Sequence, residues 1–292
     1  MSEQTIKQAT IFGEVLFDCF HDQQVLGGAP FNICWHLQAL GDQPVFISRV
    51  GNDELGQEIM QEAREWGLET TNIQQDDEHS TGQVNVSLVD NEPSYEIQAD
   101  SAYDFIDANL IKVTETKGLL YHGSLALRSN YAQQQFKKLL AEGEWDLFVD
   151  VNLRPPWWDK QSLYDWIEQA RWVKLNIDEL HQLGFKKADL KEAVQDFHLR
   201  FEVEQVIVTQ GAEGATVFAN NKFYQVKPQP LSQFVDTVGA GDSFTAVYIH
   251  GLLHQWPIEK TLKVAQNFAS KIIGIRGATP QTADFYAQLL NE

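Results

Sequence analysis

Two glycines, an alanine and two aspartates crowd the stretch "DTVGAGDSF" (236–244) of this 292-residue chain. The residues after Asp242, "SFTAVYIHGLL", are apolar on nearly every face, as in a buried helix. The first N–H groups of such a helix have no partner within it, and that end carries partial positive charge. It is an anion site, and Gly239, Ala240 and Gly241 have almost no side chain to keep an anion away. Asp242 does not suit anion binding alone, because its carboxylate repels a phosphate. It suits a general base that takes the proton of a hydroxyl attacking that phosphate. A glycine turn with a capping aspartate explains the same letters, and on local grounds the two readings stand level.

The elements that must position these residues follow a βα rhythm. "ATIFGEVLFDCF" (9–20) reads as a strand, "GAPFNICWHLQALG" (28–41) as a helix closed by Gly41, and "PVFISRV" (44–50) as the next strand. "NDELGQEIMQEAREWG" (52–67) predicts a helix with Asn52 or Asp53 as N-cap and Gly67 at its C-terminal end. "GLLYHGS", "DLFVDVNL", "WVKLN" and "QVIVTQG" are further short apolar runs, most of them separated by helical segments. The alternation predicts an α/β fold with a largely parallel, buried sheet and no clear domain boundary. Residues 80–103 break the rhythm with alternating Val84, Val86 and Leu88, a turn at Asp90–Pro93, then Tyr95 and Ile97. This predicts a hairpin with one face to bury, a candidate lid or dimer surface. Ligands of parallel α/β sheets bind at the carboxyl ends of strands, where Asp18, Asp150, Asn152, Arg154, Asn176, Glu179, Thr209 and Gly211 are expected.

Composition narrows the function. Lys and Arg total 22 against 41 Asp and Glu, a formal charge of −19. So acidic a surface repels phosphate backbones and anionic lipid, which argues against nucleic acid and membranes as partners. The two cysteines, Cys19 and Cys34, form no metal spacing, and with no apolar signal core they predict a soluble, cytoplasmic protein. GxxxxGK[ST], GxGxxG after the first strand, GxSxG and HExxH are all absent. The eight histidines form no spaced ligand set, and His36 and His250 read more readily as core or surface residues than as ligands.

"DTVGAGDSFTAVYIHGLL" resembles the C-terminal signature of the ribokinase-like (PfkB-type) carbohydrate kinases, and "GGAPFNICWHLQALG" with "VGNDELG" resembles their N-terminal one. Order and spacing match from about residue 10 to residue 280. The resemblance implies one ribokinase-like domain over 1–292, a three-layer α/β/α sandwich with a small β lid from about 14–27 and 80–103. It implies Asp242 as catalytic base, with the N–H groups of Gly239, Ala240, Gly241 and Asp242 as the anion hole. "NIDE" (176–179) resembles the family's N-x-x-E motif, which places Asn176 and Glu179 near Mg²⁺, its waters and the triphosphate; a plain helix start is the other reading. Thr209, Gly211 and Gly214 of "VTQGAEG", together with Asn267, are the implied ATP contacts. "RGATP" (276–280) resembles the loop beside the adenine, and Asp236 a place near a monovalent cation such as K⁺.

On the sugar side the resemblance implies Asp18, Gly27, Gly28 and Asn32, whose carboxylate and amide can clamp vicinal hydroxyls. "DVNLRPPWW" (150–158) puts Arg154 near the sugar or the transferred phosphate and looks most like the fructokinase branch. The sequence departs from the family pattern at Phe31, where relatives carry a small residue, and in the short span from Asp18 to Gly27. The expected function is an ATP- and Mg²⁺-dependent kinase converting fructose to fructose 6-phosphate. A 2-keto-3-deoxygluconate kinase, another sugar or nucleoside kinase, and a silent sugar-binding regulator are the alternatives. A homodimer through the lid is a further expectation.

Overall fold

The structure, a computed structural model, describes residues 8–89, 92–112, 116–228, 235–275 and 277–287. The turn residues Asp90 and Asn91 and the loop residue Arg276 lie outside the described residues.

The short apolar runs become strands buried on both faces. In chain order the elements begin β1 (Ala9–Phe12), β2 (Leu16–Cys19), β3 (Gln24–Gly27), α1 (Ala29–Ala39), β4 (Val45–Gly51) and α2 (Glu54–Glu65). Next come β5 (Ile73–Asp76), β6 (Gly82–Val89), β7 (Glu92–Ile97), β8 (Lys117–Gly123), α3 (Asn130–Ala141) and β9 (Glu144–Asp150). Then α4 (Lys160–Ile167), β10 (Trp172–Asn176), α5 (Ile177–Gln182), α6 (Leu190–Phe201), β11 (Gln205–Thr209), β12 (Ala215–Ala219) and β13 (Lys222–Val226) follow. α7 (Ala240–Leu253), α8 (Ile258–Ile273) and α9 (Ala283–Ala287) complete the described chain.

A nine-stranded sheet has the order β13-β12-β11-β10-β9-β8-β1-β4-β5, parallel from β11 to β5 and extended by antiparallel β12 and β13. Alternation along each strand builds a core on either face. Leu119 and Tyr121 of β8 join Phe31, Ile59, Val247 and Phe268 from α1, α2, α7 and α8. Leu120 joins Phe136, Trp166, Leu180 and Phe197 from α3, α4, α5 and α6. The result is the expected α/β/α sandwich. Phe31 is fully buried against Trp35 and Phe46, with ring centroids 5.8 and 5.9 Å away, so its bulk goes into this core.

Helix ends follow the signals in the sequence. Asp53 caps α2 by accepting the Gly56 N–H, and Gly41 and Gly67 close α1 and α2 with φ of 88° and 83°. Among the described residues no helix is long and apolar enough to cross a membrane.

One expectation is corrected. The run 9–20 is two strands in two sheets. The Gly13 N–H still donates to Ile47 of β4, but a Cβ on Gly13 would stand 2.3 Å from the Pro30 ring, and the chain departs there. β2 then joins a second, four-stranded sheet of order β3-β2-β6-β7. An apolar run carries no mark of the sheet it enters, so Asp18 sits in the small sheet, opposite Val25 and Val84, and not at the end of a central strand. The hairpin at 80–103 does form, as β6 and β7. Leu16 and Val84 seal this sheet onto Tyr103 and Leu125, each apolar side chain contributing about 1.5–3 kcal/mol through burial. Tyr95 on β7 remains 61% exposed.

Candidate active site

The end of α7 is built around one glycine. Gly239 caps the helix with φ of 77°, and a Cβ there would lie 2.3 Å from that of Ala278. Only glycine fits that approach and that backbone. Ala240, Gly241 and Asp242 form the first turn, and among the described residues no acceptor takes the N–H of Gly241 or Asp242. The Asp242 side chain accepts a hydrogen bond from Asn32 Nδ2 at 2.8 Å, joining residues 210 positions apart. Asn32 is there because α1 starts at Gly28, whose φ is 103° and whose missing Cβ would meet the Glu14 carbonyl at 2.7 Å. Both glycine signatures therefore end at one carboxylate.

Around that pair stand acids with raised pKa values. Burial pushes Asp18 up to about 6, against the pull of Arg154, while the charge of Asp242 pushes it further. Gly27 faces it closely enough that a Cβ would be 3.2 Å from Asp18 Oδ2. Glu14 is 2% exposed and burial takes it to about 7; Arg154 and Arg128 pull it down and Asp242 pushes it up. Its Oε2 has no partner among the described residues, nor have Asn32 Oδ1 and the hydroxyls of Tyr103 and Tyr121. Arg154 is exposed and donates to its neighbour Leu153, which leaves most of its guanidinium for other contacts.

The acids of the large sheet are held differently. Asp150, at the end of β9, accepts from buried Lys174 at 3.0 and 3.1 Å and from Thr245 on α7 at 3.1 Å. Burial still lifts Asp150 to about 6, opposed by Lys174, whose ammonium is kept charged by Asp150 and Glu179. Lys174 also underlies the anion end of α7, its Nζ 3.6 Å from where a Gly241 Cβ would be. Glu179 accepts from the backbone N–H of Leu153 and of Asn176, both at 2.8 Å, and the Glu179 N–H in turn donates to Asn176 Oδ1. The helix-start reading of "NIDE" is thus realised as a capping box.

The predicted nucleotide residues spread along the sheet edge. Asn176 and Thr209 are register partners at the ends of β10 and β11. Beyond them Gly211 faces open space, whereas a Cβ on Gly214 would strike the Val226 carbonyl at 2.0 Å, a packing requirement of the β12–β13 hairpin. Asp236 accepts from the Val238 N–H at 3.0 Å, and its own N–H reaches the Ile273 carbonyl at the end of α8, the helix that carries half-buried Asn267.

Glu14, Lys174, Tyr103 and Tyr121 were not among the predicted site residues. Glu14 had a signal, a charge inside the apolar run "ATIFGEVLFDCF", and Lys174 likewise inside "WVKLN". The tyrosines had none, since buried rings are ordinary core.

Residues 3–284 match the family described as pfkB family carbohydrate kinase, and the chain belongs to that family of ATP-dependent sugar kinases. A fructokinase of Salmonella typhimurium is 27% identical, covering 92% of this chain and 91% of its own. A 5-dehydro-2-deoxygluconokinase of Clostridium botulinum is 26% identical, covering 86% and 79%. In fold the chain matches the fructokinase of Vibrio cholerae O395 in its fructose-, ADP- and calcium-bound form, at a TM-score of 0.84 and 24% identity over 98% of this chain and 100% of that one. The ribokinase-like fold is thereby established.

Proposed function

We propose that this sugar kinase phosphorylates fructose at its primary hydroxyl, giving fructose 6-phosphate and ADP, with Asp242 as the base. The observation that carries the reading is the Asn32–Asp242 hydrogen bond, which ties the end of one glycine signature to the other. The bond occupies Oδ2 and orients the carboxylate, leaving Oδ1 for the proton of the sugar hydroxyl. As the proton passes to Asp242, the sugar oxygen bonds to the γ-phosphorus and the bond to the leaving ADP breaks. The free N–H groups of Gly241 and Asp242, with the N-terminal dipole of α7, stabilise the charge on the transferring group.

Asp18, Gly27, Gly28 and Asn32 hold the sugar from the small sheet and α1, and Arg154 offsets phosphate charge in a chain of formal charge −19. The small sheet, 14–27 with 80–103, acts as a lid on a single kinase domain and keeps water from the phosphoryl group. Asn176, Thr209, Gly211, Gly214 and Asn267 line the nucleotide side. When bound, Mg²⁺ neutralises phosphate charge. The donor set fits an ion reached through water, since Glu179 and Asp150 already accept from the chain and keep only spare lone pairs. Asp236, in a loop tied to the end of α8, is the candidate neighbour of a K⁺ ion.

The resemblance to fructokinases along with a 5-dehydro-2-deoxygluconokinase makes the acceptor the point to test. Purified enzyme with Mg-ATP is assayed for ADP release against fructose, other ketoses and aldoses, 2-keto-3-deoxygluconate, 5-dehydro-2-deoxygluconate and nucleosides. The highest kcat/KM is expected for fructose. A higher value for a keto-deoxy acid moves the enzyme to that substrate. Sugar binding by calorimetry with ADP at background for every acceptor means a silent binding protein.

A further inference from the structure

At the end of α7 opposite Asp242, two helix C-termini meet around a histidine–carboxylate cluster. α1 ends with the Gly41 and Asp42 N–H groups folded back onto the Gln38 and Leu37 carbonyls, which fixes Asp42. α7 ends with the His254 N–H on the His250 carbonyl and the Trp256 N–H on that of Gly251. These turns aim His250 Nδ1 at Asp42 Oδ2 (2.7 Å) and His254 Nε2 at Asp42 Oδ1 (2.8 Å). One ligand atom from each of Asp42, His250 and His254 lies within 4.8 Å of the others. Histidines at i, i+4 are ordinary on a helix. The set is made by Asp42, which comes from 208 residues away.

We propose that Asp42, His250 and His254 form a binding site for a divalent transition metal, with Zn²⁺ as its best fit. Two imidazoles and a carboxylate are the donor types that Zn²⁺ takes, and the His–carboxylate spacings of 2.7 and 2.8 Å must open by roughly 0.6 Å to admit a tetrahedral ion with bonds of about 2.0–2.2 Å. Both helix C-termini present their negative dipole ends, which favours a cation there. The side chains of His250 and Asp42 are 5% and 3% exposed, while that of His254 at 52% leaves an entry and a fourth position for water. Metal binding needs the two nitrogens that now face Asp42 unprotonated, so each neutral ring keeps its proton on its other nitrogen. Mg²⁺, which prefers oxygen ligands in octahedral array, is a poor fit. The site lies roughly 12 Å along α7 from Asp242, so it is separate from phosphoryl transfer. Its effect is to pin α1 to α7, the two helices that carry Asn32 and Asp242.

The test titrates Zn²⁺ alone into untagged, EDTA-stripped protein, read by calorimetry and by melting temperature, with Mg²⁺ in parallel. One equivalent of Zn²⁺ is expected to bind and to raise the melting temperature. His254→Ala alters an exposed side chain and should melt as the wild type does without metal. It should bind Zn²⁺ at least about ten-fold more weakly and lose the metal-dependent rise. His254→Gln provides a second variant with the same expectation. Equal Zn²⁺ affinity in wild type and variants overturns the assignment, as does absence of binding or Mg²⁺ binding as tight as Zn²⁺.

Discussion

The acids of the large sheet and those beside the small sheet differ in their partners, although burial lifts Asp150 and Asp18 alike to about 6. On the large-sheet side, Asp150 accepts from Lys174 and Thr245, and Glu179 accepts two backbone N–H groups. On the small-sheet side, Glu14 is as deeply buried yet keeps an oxygen without a partner among the described residues, and Asp18 is lifted to about 6. Burying a charge requires a partner, so the first pair spends its charge on holding the ends of β9, β10 and α7 together. Among the described residues the second pair makes no comparable bond between elements. Glu14 Oε2, Asn32 Oδ1 and the hydroxyls of Tyr103 and Tyr121 are all buried without a partner among the described residues. One wall of the proposed site settles its charges within the fold, and the other keeps buried polar atoms without partners among the described residues.

Substitutions can break that contrast. The largest effect is expected at the seam between the walls. Asp242→Asn should lower kcat by about a hundred- to ten-thousand-fold while ATP affinity changes little, measured by steady-state kinetics and calorimetry. An active variant removes the base assignment.

Next, Lys174→Met should destabilise by about 3–5 kcal/mol in urea unfolding, because Asp150 is left buried without its ammonium. A neutral result would mean that the large-sheet wall is not held by charge.

Glu14→Gln tests the opposite wall. Burial raises the Glu14 pKa from 4.5 to about 7, so between those values the folded state keeps a proton that the unfolded state has lost. Its stabilising share is full below about pH 4.5 and lost as pH rises through 7, on the order of 3 kcal/mol. The Gln variant should be flatter across that window and more stable than wild type at pH 8. Parallel curves for the two proteins would show that Glu14 does not carry this titration.

The smallest effect is on binding. Asp18→Asn should raise the sugar KM by about ten- to a hundred-fold with the ATP KM unchanged. Equal changes in both would place Asp18 away from the sugar.

The sequence carried this contrast unevenly. α7 and its glycines were legible because a buried helix start with a carboxylate has few explanations, and the partner signature at 27–41 chose between them. The large sheet was legible from apolar runs ending in polar residues, and Asp150, Asn176 and Thr209 do stand at strand ends. Hidden was the break at Gly13, where one apolar run serves two sheets, because pleat and burial look alike on either side. Glu179 shows a different limit. The letters "NIDE" describe a capping box and a metal-side motif equally, and the capping box is the one visible in the folded chain. Lys174 stood out as a charge inside "WVKLN", but its partner was hidden, because Asp150 lies 24 residues upstream in another strand.

The crossing at Gly13 also has a mechanical consequence. Four links join the small sheet to the body, at 13–15, 27–28, 77–81 and 98–101, and the first two touch, since Gly13 packs on Pro30 and Gly28 on the backbone of Glu14. The other two are tied as well: Thr81 donates to Asp53, Arg128 donates to the Gln98 carbonyl, and the Ala102 N–H donates to the Ser80 carbonyl. Anchored in this way, the sheet runs outward from its packed strands β2 and β6 to β7, where Tyr95 projects into solvent. Its base is therefore bound to the body at every crossing, and only its outer strand is left to the solvent.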